Sequence, residues 1–284
     1  MTALFLVISI SSMVLQNCLY TSFSKSAPRT KNEIYFFNVF SYGVCILCYS
    51  VLAIIQHSLS LFTVITGMIF GFLTLNSVAN RMKALTIGPM NITLLITTSS
   101  MIIPTMSGVF FNEGFSPMKL CGVAVLLFFV YLALGTGNGK KFNKLWLFHT
   151  MLAFVCQGLI GVMQKVHQTS QYKNESAGFL LVAFIFSFVY SLIFLSKDVK
   201  NIKMENKFKI FSLVCGLFVF AMNFLNLTLS GMLPSQLMFP LVNGSSIIIN
   251  IVVSVLFFKE TLSRKQLIGV CGGIACLIAI CLLP

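Results

Sequence analysis

The sequence predicts an all-α integral membrane protein with ten transmembrane helices, arranged as two inverted five-helix repeats. Hydrophobic residues make up 57% of the 284 residues and charged residues only 9%, whereas a soluble domain carries about 25% charged residues. Ten apolar segments are each long enough to cross a bilayer, which takes about 20 residues. A motif also recurs at half the chain length, and such recurrence indicates an internal repeat.

The ten predicted segments are joined by short polar connections. The first has no Lys or Arg ahead of its apolar core and is the repeat counterpart of residues 148–168. We therefore expect it to be a helix of the mature protein and not a signal peptide. The segments cover residues 2–21, 34–55, 61–80, 88–111, 118–136, 147–166, 177–196, 208–229, 235–258 and 265–283.

The repeated motif follows the fourth apolar segment of each predicted half. Residues 110–123 and 257–270 both begin Phe-Phe-x-Glu and continue through Ser and Leu to Gly-Val. A polar Gly-rich linker at 135–141 separates a first five-helix repeat, 1–139, from a second, 140–284. Because five is an odd number, the second repeat enters the membrane from the opposite side. Inverted repeats of this kind are common in secondary transporters.

The basic residues alternate with the predicted segments. Sixteen of the nineteen Lys and Arg lie in loops after odd-numbered segments, and the other three are Lys119, Lys165 and Lys173. The positive-inside rule then places the odd-numbered loops in the cytoplasm and both termini outside, in a multi-pass protein of the cell membrane. The net charge of +13 therefore reports orientation. No basic run or aromatic-interleaved patch supports binding to nucleic acid.

Local signals mark helix starts and close packing. Ser116-Pro117 has the form of an N-cap followed by proline at the first helical position, and Ser263 with Gln266 fits a capping box. The glycines of Gly67-x-x-x-Gly71 would let two helices approach closely. All nine cysteines lie in apolar runs, where they act as small hydrophobic residues and not as a zinc site.

The chain lacks the usual signatures of enzymes and proton pumps. Its three histidines are isolated, and no nucleophile motif, P-loop or dinucleotide fingerprint is present. We therefore expect no catalytic residues, no cofactor and no metal. All six acidic residues lie at segment ends or in loops, whereas a proton-coupled pump usually needs an ionisable group at depth. The small multidrug exporters that use a carboxylate in the first helix are consequently poor models.

Glu113 and Glu260, the carboxylates of the repeated motif, permit two interpretations. They could be gating or coupling groups at the membrane edge. Alternatively, each could be structural and interact with the positive N-terminal end of the following helix or with a nearby Lys. The span count favours the structural interpretation, because it places the two carboxylates on opposite sides of the membrane.

Polar residues in segments four and nine are the main candidates for substrate binding. Polar groups are costly in hydrocarbon and should turn inward, and broken backbone at depth must be buried or face a wet cavity. We expect Pro240 and Asn243-Gly244 to allow a bend. Interhelical hydrogen bonding is the alternative role for this group. Its members are Thr97, Thr98, Ser99, Asn243, Ser245 and Ser246, with Pro104 and Pro240 as gating or structural residues.

Two further pairs of polar residues match at the repeat spacing. Asn17 matches Gln164, in segments one and six, and Asn76 matches Asn223, in segments three and eight. We expect all four to line the same cavity. The second pair depends on a register that is four residues shorter in the first half.

The duplicated arrangement resembles the ten-helix, EamA-type branch of the drug/metabolite transporter superfamily. In that family an apolar run ends in Glu, and a polar turn and a Gly-containing helix follow, as around Glu113 and Glu260. The resemblance covers the whole chain and implies two inverted five-helix halves. Two features depart from it. Ile251 stands where the second half usually has proline, and the termini are usually cytoplasmic in this family.

The resemblance and the predicted cavity together imply a secondary transporter. We expect it to export a small metabolite, such as an amino acid or a similar amphipathic solute, by alternating access without ATP. A downhill facilitator or exchanger, an importer of a metabolite or organic cation, and a non-transporting scaffold are the alternatives. The expected partners are the substrate and the lipid bilayer, and a monomer is compatible with the sequence.

Overall fold

The computed structural model describes residues 1–25, 31–56, 58–87, 90–113, 116–134, 144–195, 205–258 and 263–282. Within these ranges the chain forms helices and no strand, which confirms the all-α prediction. The α helices are α1 Thr2–Lys25, α2 Lys31–Gln56, α3 Leu61–Ile87, α4 Met90–Ser99, α5 Ile102–Ser107, α6 Pro117–Leu134, α7 Lys144–Thr169, α8 Ser176–Leu195, α9 Asn206–Met232, α10 Ser235–Phe258 and α11 Arg264–Leu282. Two 3-10 helices cover Gly108–Phe111 and Lys173–Glu175.

Eight of the described helices are long and apolar enough to span a membrane, as a membrane protein requires. Many large apolar side chains on them lie at the surface, for example Leu47 on α2 and Phe72 on α3. Shorter apolar helical stretches cover Ile96–Phe111 and Pro117–Ala133. The fourth predicted segment differs from the others, because it is divided into α4, α5 and a 3-10 helix.

The chain forms two compact units, and each draws on both halves of the sequence. The first unit contains Met1–Phe72 and His167–Thr228, and the second contains Leu73–Val166 and Leu229–Pro284. Helices α3, α7 and α9 therefore each contribute residues to both units. The division of the sequence into repeats at 1–139 and 140–284 remains a prediction.

Helices of the first unit pack closely where glycine removes side-chain bulk. A Cβ added to Gly67 would lie 2.8 Å from the carbonyl oxygen of Phe179, and one added to Gly71 would collide with the backbone of Ala183. These contacts between α3 and α8 confirm the close packing expected of the two glycines. The α2–α9 contact is also polar, since the Ser41 hydroxyl donates to the Ser212 carbonyl at 2.8 Å.

The second unit uses glycine in the same way between α6 and α11. A Cβ on Gly269 would lie 2.7 Å from the Cα of Ala133, and the Cys276 thiol donates to the Gly122 carbonyl at 3.2 Å. The described cysteines are all free thiols. Those that are buried therefore serve as small packing residues.

The structure confirms both predicted helix starts. Helix α6 begins at Pro117, directly after Ser116. At the start of α11 the backbone N–H of Ser263 donates to Gln266 Oε1 at 2.9 Å, and the N–H of Gln266 donates to Ser263 Oγ at 3.3 Å. This reciprocal pair is a capping box.

Candidate functional site

The fourth segment breaks at Ser100–Met101, between α4 and α5. The N–H of Met101 donates to the Thr98 carbonyl at 3.2 Å, and the N–H of Ile103 donates to the Ser100 carbonyl at 3.0 Å. These bonds span three residues, as in a 3-10 turn. Pro104 explains the break, because its ring would collide with the Ser100 carbonyl in a continuous α-helix and it has no N–H to donate.

Helix α7 accommodates the broken segment through two glycines. A Cβ on Gly161 would lie 2.8 Å from the Cβ and Cγ of Pro104 and 2.9 Å from the ring of Phe239 on α10. A Cβ on Gly158 would likewise meet the side chain of Ile103 at 2.7 Å. The glycines therefore bring α5 and α10 close to the surface of α7.

Helix α10 is continuous through Pro240, so neither Pro240 nor Asn243-Gly244 interrupts it, and the bend expected there stays a prediction. Pro240 is only the sixth residue of this helix, where the missing N–H removes one bond from an early turn. The side-chain amide of Asn243 donates to the Phe239 carbonyl at 3.0 Å. Pro104, by contrast, lies where the chain has already completed the ten residues of α4.

Several candidate residues of segments four and nine bond to the backbone of their own helix. Thr97 Oγ1 donates to the Thr93 carbonyl at 2.9 Å, and Ser246 Oγ donates to the Asn243 carbonyl at 2.8 Å. Thr97 and Ser246 are buried, and Thr98, Ser99, Asn243 and Ser245 are half-buried. The second unit contains all six of these residues, together with Pro104 and Pro240.

The other four predicted substrate residues are divided between the units. Asn76 and Gln164 belong to the second unit, whereas Asn17 and Asn223 belong to the first. Gln164 is buried, and the carbonyl of Asn76 accepts a 2.8 Å bond from the side-chain amide of Asn80. Asn223 donates to the Val219 carbonyl at 2.9 Å within α9.

Sequence reasoning missed three polar contacts between α7 and neighbouring helices. The indole N–H of buried Trp146 donates to Thr93 Oγ1 at 2.8 Å. Ser77 Oγ donates to Gln157 Oε1 at 2.8 Å. The α7 members, Trp146 and Gln157, are eleven residues apart and so lie on one face of the helix. That spacing was the sequence signal that could have revealed a polar face on α7.

Asn80 and His149 form the third of these contacts. Asn80 Oδ1 lies 2.8 Å from His149 Nδ1, so the imidazole must present its N–H there to bond. The contact joins the second half of α3 to α7 within the second unit.

The second unit contains an ion pair between buried Lys165 and half-buried Glu113. Lys165 Nζ pairs with the carboxylate of Glu113. Lys165 lies within α7, as the predicted segment 147–166 implies, and is 5% exposed. Lys165 Nζ also donates to the carbonyls of Ser230 at 2.7 Å and Leu233 at 3.2 Å. These carbonyls lie at the negative C-terminal end of α9, where a cation is stabilised.

The end of α9 and the start of α10, between Ser230 and Gln236, form what we call the α9–α10 corner. The Glu113 carboxylate contacts the start of α10 in this corner. Its Oε2 accepts a 2.7 Å hydrogen bond from the backbone N–H of Ser235, the first residue of α10. A carboxylate at a helix N-terminus forms a charge-assisted bond and complements the helix dipole. Glu113 therefore contacts both a lysine and a helix N-terminus, as its structural interpretation predicts. The helix is α10, however, and not the following helix α6.

Gln236 makes the return contact between the same two helix starts. Its Oε1 accepts a 3.1 Å bond from the backbone N–H of Ser116, the residue before α6. Each chain segment therefore supplies an acceptor for the N-terminus of the other. We call this arrangement a cross-cap.

The first unit contains a second cross-cap. Buried Glu175, which precedes α8, accepts bonds at α3 from the Ser60 N–H at 2.9 Å and the Ser60 hydroxyl at 2.7 Å. Gln56, the last residue of α2, accepts a 3.0 Å bond from the Ala177 N–H at the start of α8. Both units thus use one Glu and one Gln to join helix starts that are distant in sequence.

His167 lies near this second cross-cap. Its side chain is fully buried, and its ring centroid is 4.4 Å from that of Phe179. Neither ring nitrogen has a hydrogen-bond partner among the described residues. Within those residues, no cluster of three or more His, Cys, Asp or Glu is placed to hold a metal ion.

Glu260, the second carboxylate of the repeated motif, lies outside the described residues. Its predicted gating or structural role therefore stays a prediction, as does the role of Glu113 in gating.

Comparisons with known proteins identify the fold and no family. No model of a protein family matches the chain, and no curated protein matches it. Chains of solved structures do match. One, described only as the crystal structure of a protein, has a TM-score of 0.77 at 13% identity over 99% of this chain and 99% of that one. This similarity shows a shared fold, which by itself does not assign a function.

Proposed function

We propose that this protein is a secondary transporter that moves a small amphipathic metabolite by alternating access without ATP. The observation that carries the proposal is the Pro104-induced break between α4 and α5. The break is a short 3-10 stretch in which Met101 keeps a right-handed helical conformation, and such a stretch within a helix often marks a functional hinge. Secondary transporters commonly build substrate sites from such discontinuous helices.

The side chains around the break indicate the class of solute. Thr97, Thr98 and Ser99 precede it, and α10 contributes Asn243, Ser245 and Ser246 to the same unit. These groups offer hydroxyls and amides, which can both donate and accept hydrogen bonds. They carry no net charge, so they favour a neutral or zwitterionic solute such as an amino acid. Placement in the ten-helix, EamA-type branch of the drug/metabolite transporters is part of this proposal.

The proposed direction is export across the cell membrane, with the odd-numbered loops cytoplasmic. The support is the distribution of Lys and Arg, which favours those loops sixteen to three. The cross-caps would then lie at the outer ends of their helices. Uptake, facilitated diffusion and exchange use the same kind of site and differ in the coupling of the flux.

A non-transporting scaffold is the second candidate, and one observation favours it. Thr97, Asn243 and Ser246 each bond to their own helix backbone, which would satisfy them without a substrate. A scaffold predicts that replacing Asn243 by a similarly sized apolar residue leaves function intact. A transporter predicts a loss of flux.

Flux in proteoliposomes distinguishes these candidates. The purified protein would be reconstituted, and the movement of labelled amino acids and other small metabolites would be measured in both directions. Asn243→Leu should lower the flux at least tenfold at equal reconstitution and unchanged melting temperature. Ile249→Leu is the matched control, because Ile249 is an exposed residue of the same helix. Absence of flux for every solute in both directions would contradict the proposal.

A further inference from the structure

The ion pair at the α9–α10 corner has the components of a site for an anion. Lys165 is almost fully buried, and its Nζ contacts the C-terminal carbonyls of α9. The first backbone N–H of α10, from Ser235, points at the carboxylate that pairs with Lys165. A helix N-terminus beside a buried cation favours a carboxylate in two ways, through its N–H groups and through its dipole.

An unused donor accompanies these groups. The hydroxyl of Ser235 is 1% exposed and has no hydrogen-bond partner among the described residues. A Cβ added to Gly108 would lie 3.2 Å from the Cβ of Ser235 and would collide with Glu113 Oε2. Ser235 therefore lies next to the carboxylate, and Gly108 provides the room that this carboxylate occupies. A buried hydroxyl without a partner carries a cost that a ligand could remove.

The Glu113 carboxylate, which now pairs with Lys165 and Ser235, belongs to a short turn. Asn112 has φ of 55°, in the left-handed region that Asn tolerates better than most residues. The N–H groups of Asn112 and Glu113 both donate to the Gly108 carbonyl. Rotation about the side-chain bonds of Glu113 would withdraw its carboxylate without moving this turn or unwinding a helix. The carboxylate would then be available to a different cation.

We propose that the Lys165–Glu113 pair opens to bind a zwitterionic amino acid between its two charges. The carboxylate of the ligand takes the position of the Glu113 carboxylate on Lys165 Nζ, the Ser235 N–H and the Ser235 hydroxyl. The ammonium group of the ligand pairs with Glu113. Both buried charges stay compensated throughout, whereas a ligand with only one charge would leave either Lys165 or Glu113 unpaired at considerable cost.

This inference deepens the proposed function, since it rests on transport of an amphipathic metabolite and names the charged groups that select it. It also differs from the uncharged group around the α4–α5 break. That group would contact the polar or apolar body of the solute, and the ion pair would recognise its two charges.

Binding to the detergent-purified full-length protein tests the proposal. Thermal shift with each of the twenty standard L-amino acids would select the best ligand, and calorimetry would then compare it with its methyl ester and its des-amino acid. The ester lacks the anion and the des-amino acid lacks the cation. We expect each analogue to bind at least tenfold more weakly than the amino acid. Equal affinity for the ester, or no binding of any amino acid, would overturn the inference.

Variants of the pair give a second test. Lys165→Met and Glu113→Gln should each weaken binding at least tenfold, Lys165→Arg should retain part of it, and Lys119→Met is a control lysine of the same unit. If Lys165→Met does not fold, Glu113→Gln and the analogue series still decide the question. Unchanged binding in a folded Glu113→Gln protein would overturn the inference.

Flux measurements separate the failure of the site from the failure of transport. Flux of amino acids that is insensitive to both Lys165→Arg and Glu113→Gln would overturn the charge-pair site and leave the transport function standing. Zwitterion-selective binding that depends on Lys165, without flux in either direction, would support the site and contradict the transport function.

Discussion

Glu113 and Ser235 are 122 residues apart in the sequence, yet the carboxylate of Glu113 accepts a 2.7 Å hydrogen bond from the backbone N–H of Ser235. Lys165 pairs with the same carboxylate and also binds the end of α9. One ion pair thus holds both helix ends of the α9–α10 corner. Its two charges complement the dipoles of those ends, so each member should depend on the other.

We predict that removing both members of this pair costs less than the sum of the two single removals. Glu113→Gln keeps an acceptor for Ser235 but leaves the buried Lys165 ammonium uncompensated, and loss of one partner from a buried pair costs about 3–5 kcal/mol. Lys165→Met should have a similar effect. The double variant should be less destabilised than the sum of the two single variants, by about 1–3 kcal/mol. Reversible unfolding in mixed micelles would measure this cycle.

Additive effects in the cycle would contradict the role of the ion pair in the corner. Lys119→Met is the appropriate control for loss of a lysine from the same unit, since Lys119 forms no ion pair among the residues that the structure describes. Its free energy of unfolding should stay within about 0.5 kcal/mol of the original value, as for most surface changes.

A second prediction concerns the contact between α3 and α8. Gly71→Ala should lower the melting temperature by several degrees, because the added Cβ would collide with the backbone of Ala183 and force the helices apart. Gly43→Ala is the matched control on α2. A Cβ there would lie 3.9 Å from the ring of Phe188, which is an ordinary contact.

Thermal melting of both variants in the same detergent would test this difference. Gly43→Ala should melt at or slightly above the original temperature, because Ala has the higher helix propensity by about 1 kcal/mol. Equal melting temperatures for the two variants would show that the α3–α8 contact is not as close as described.

A third prediction concerns the unpartnered imidazole of His167. Both ring nitrogens lack a partner among the described residues, and the ring lies tilted against that of Phe179. An unsatisfied buried polar group costs about 1–3 kcal/mol, and an apolar group of similar shape removes that cost. His167→Phe should therefore keep or raise the melting temperature.

His149 provides the comparison for His167. Its Nδ1 lies 2.8 Å from Asn80 Oδ1, so His149→Phe would break a hydrogen bond between α3 and α7. This variant should melt at a lower temperature than the original protein. A larger loss of stability in His167→Phe than in His149→Phe would mean that the buried imidazole has a bonded role.

The sequence predicts where helices begin better than it predicts which distant side chains will be in contact. The capping box of Ser263 and Gln266 and the start of α6 at Pro117 depend on neighbouring residues, so local pattern suffices. The partner of Glu113 depends on how helices pack, and no short-range pattern reveals that Ser235 lies beside it. Lys165 lies inside the predicted segment 147–166, but only the contact with the Glu113 carboxylate explains why its charge can be buried in α7.

The two prolines show the same limit at the candidate site. Both Pro104 and Pro240 lie in predicted segments, and only Pro104 lies beside an interruption of its helix. A proline near a helix N-terminus removes little, whereas one that follows a completed helix interrupts it. The sequence alone did not fix where each helix begins. Gly158 and Gly161 of α7 pack against Ile103 and Pro104 of α5. Their role could be recognised only from that contact.

Pro104→Ala should abolish the break and reduce transport. Alanine restores an N–H that can donate to the Ser100 carbonyl, so α4 and α5 can join into one helix, and alanine favours a helix interior by about 3 kcal/mol over proline. We expect a fall in proteoliposome flux of at least tenfold with an equal or higher melting temperature. Pro117→Ala is the control, because proline at the first position of α6 lacks an N–H that would in any case have no helical partner. Full flux in Pro104→Ala would show that transport does not need the break, and loss of flux in both variants would point to a general effect of removing proline.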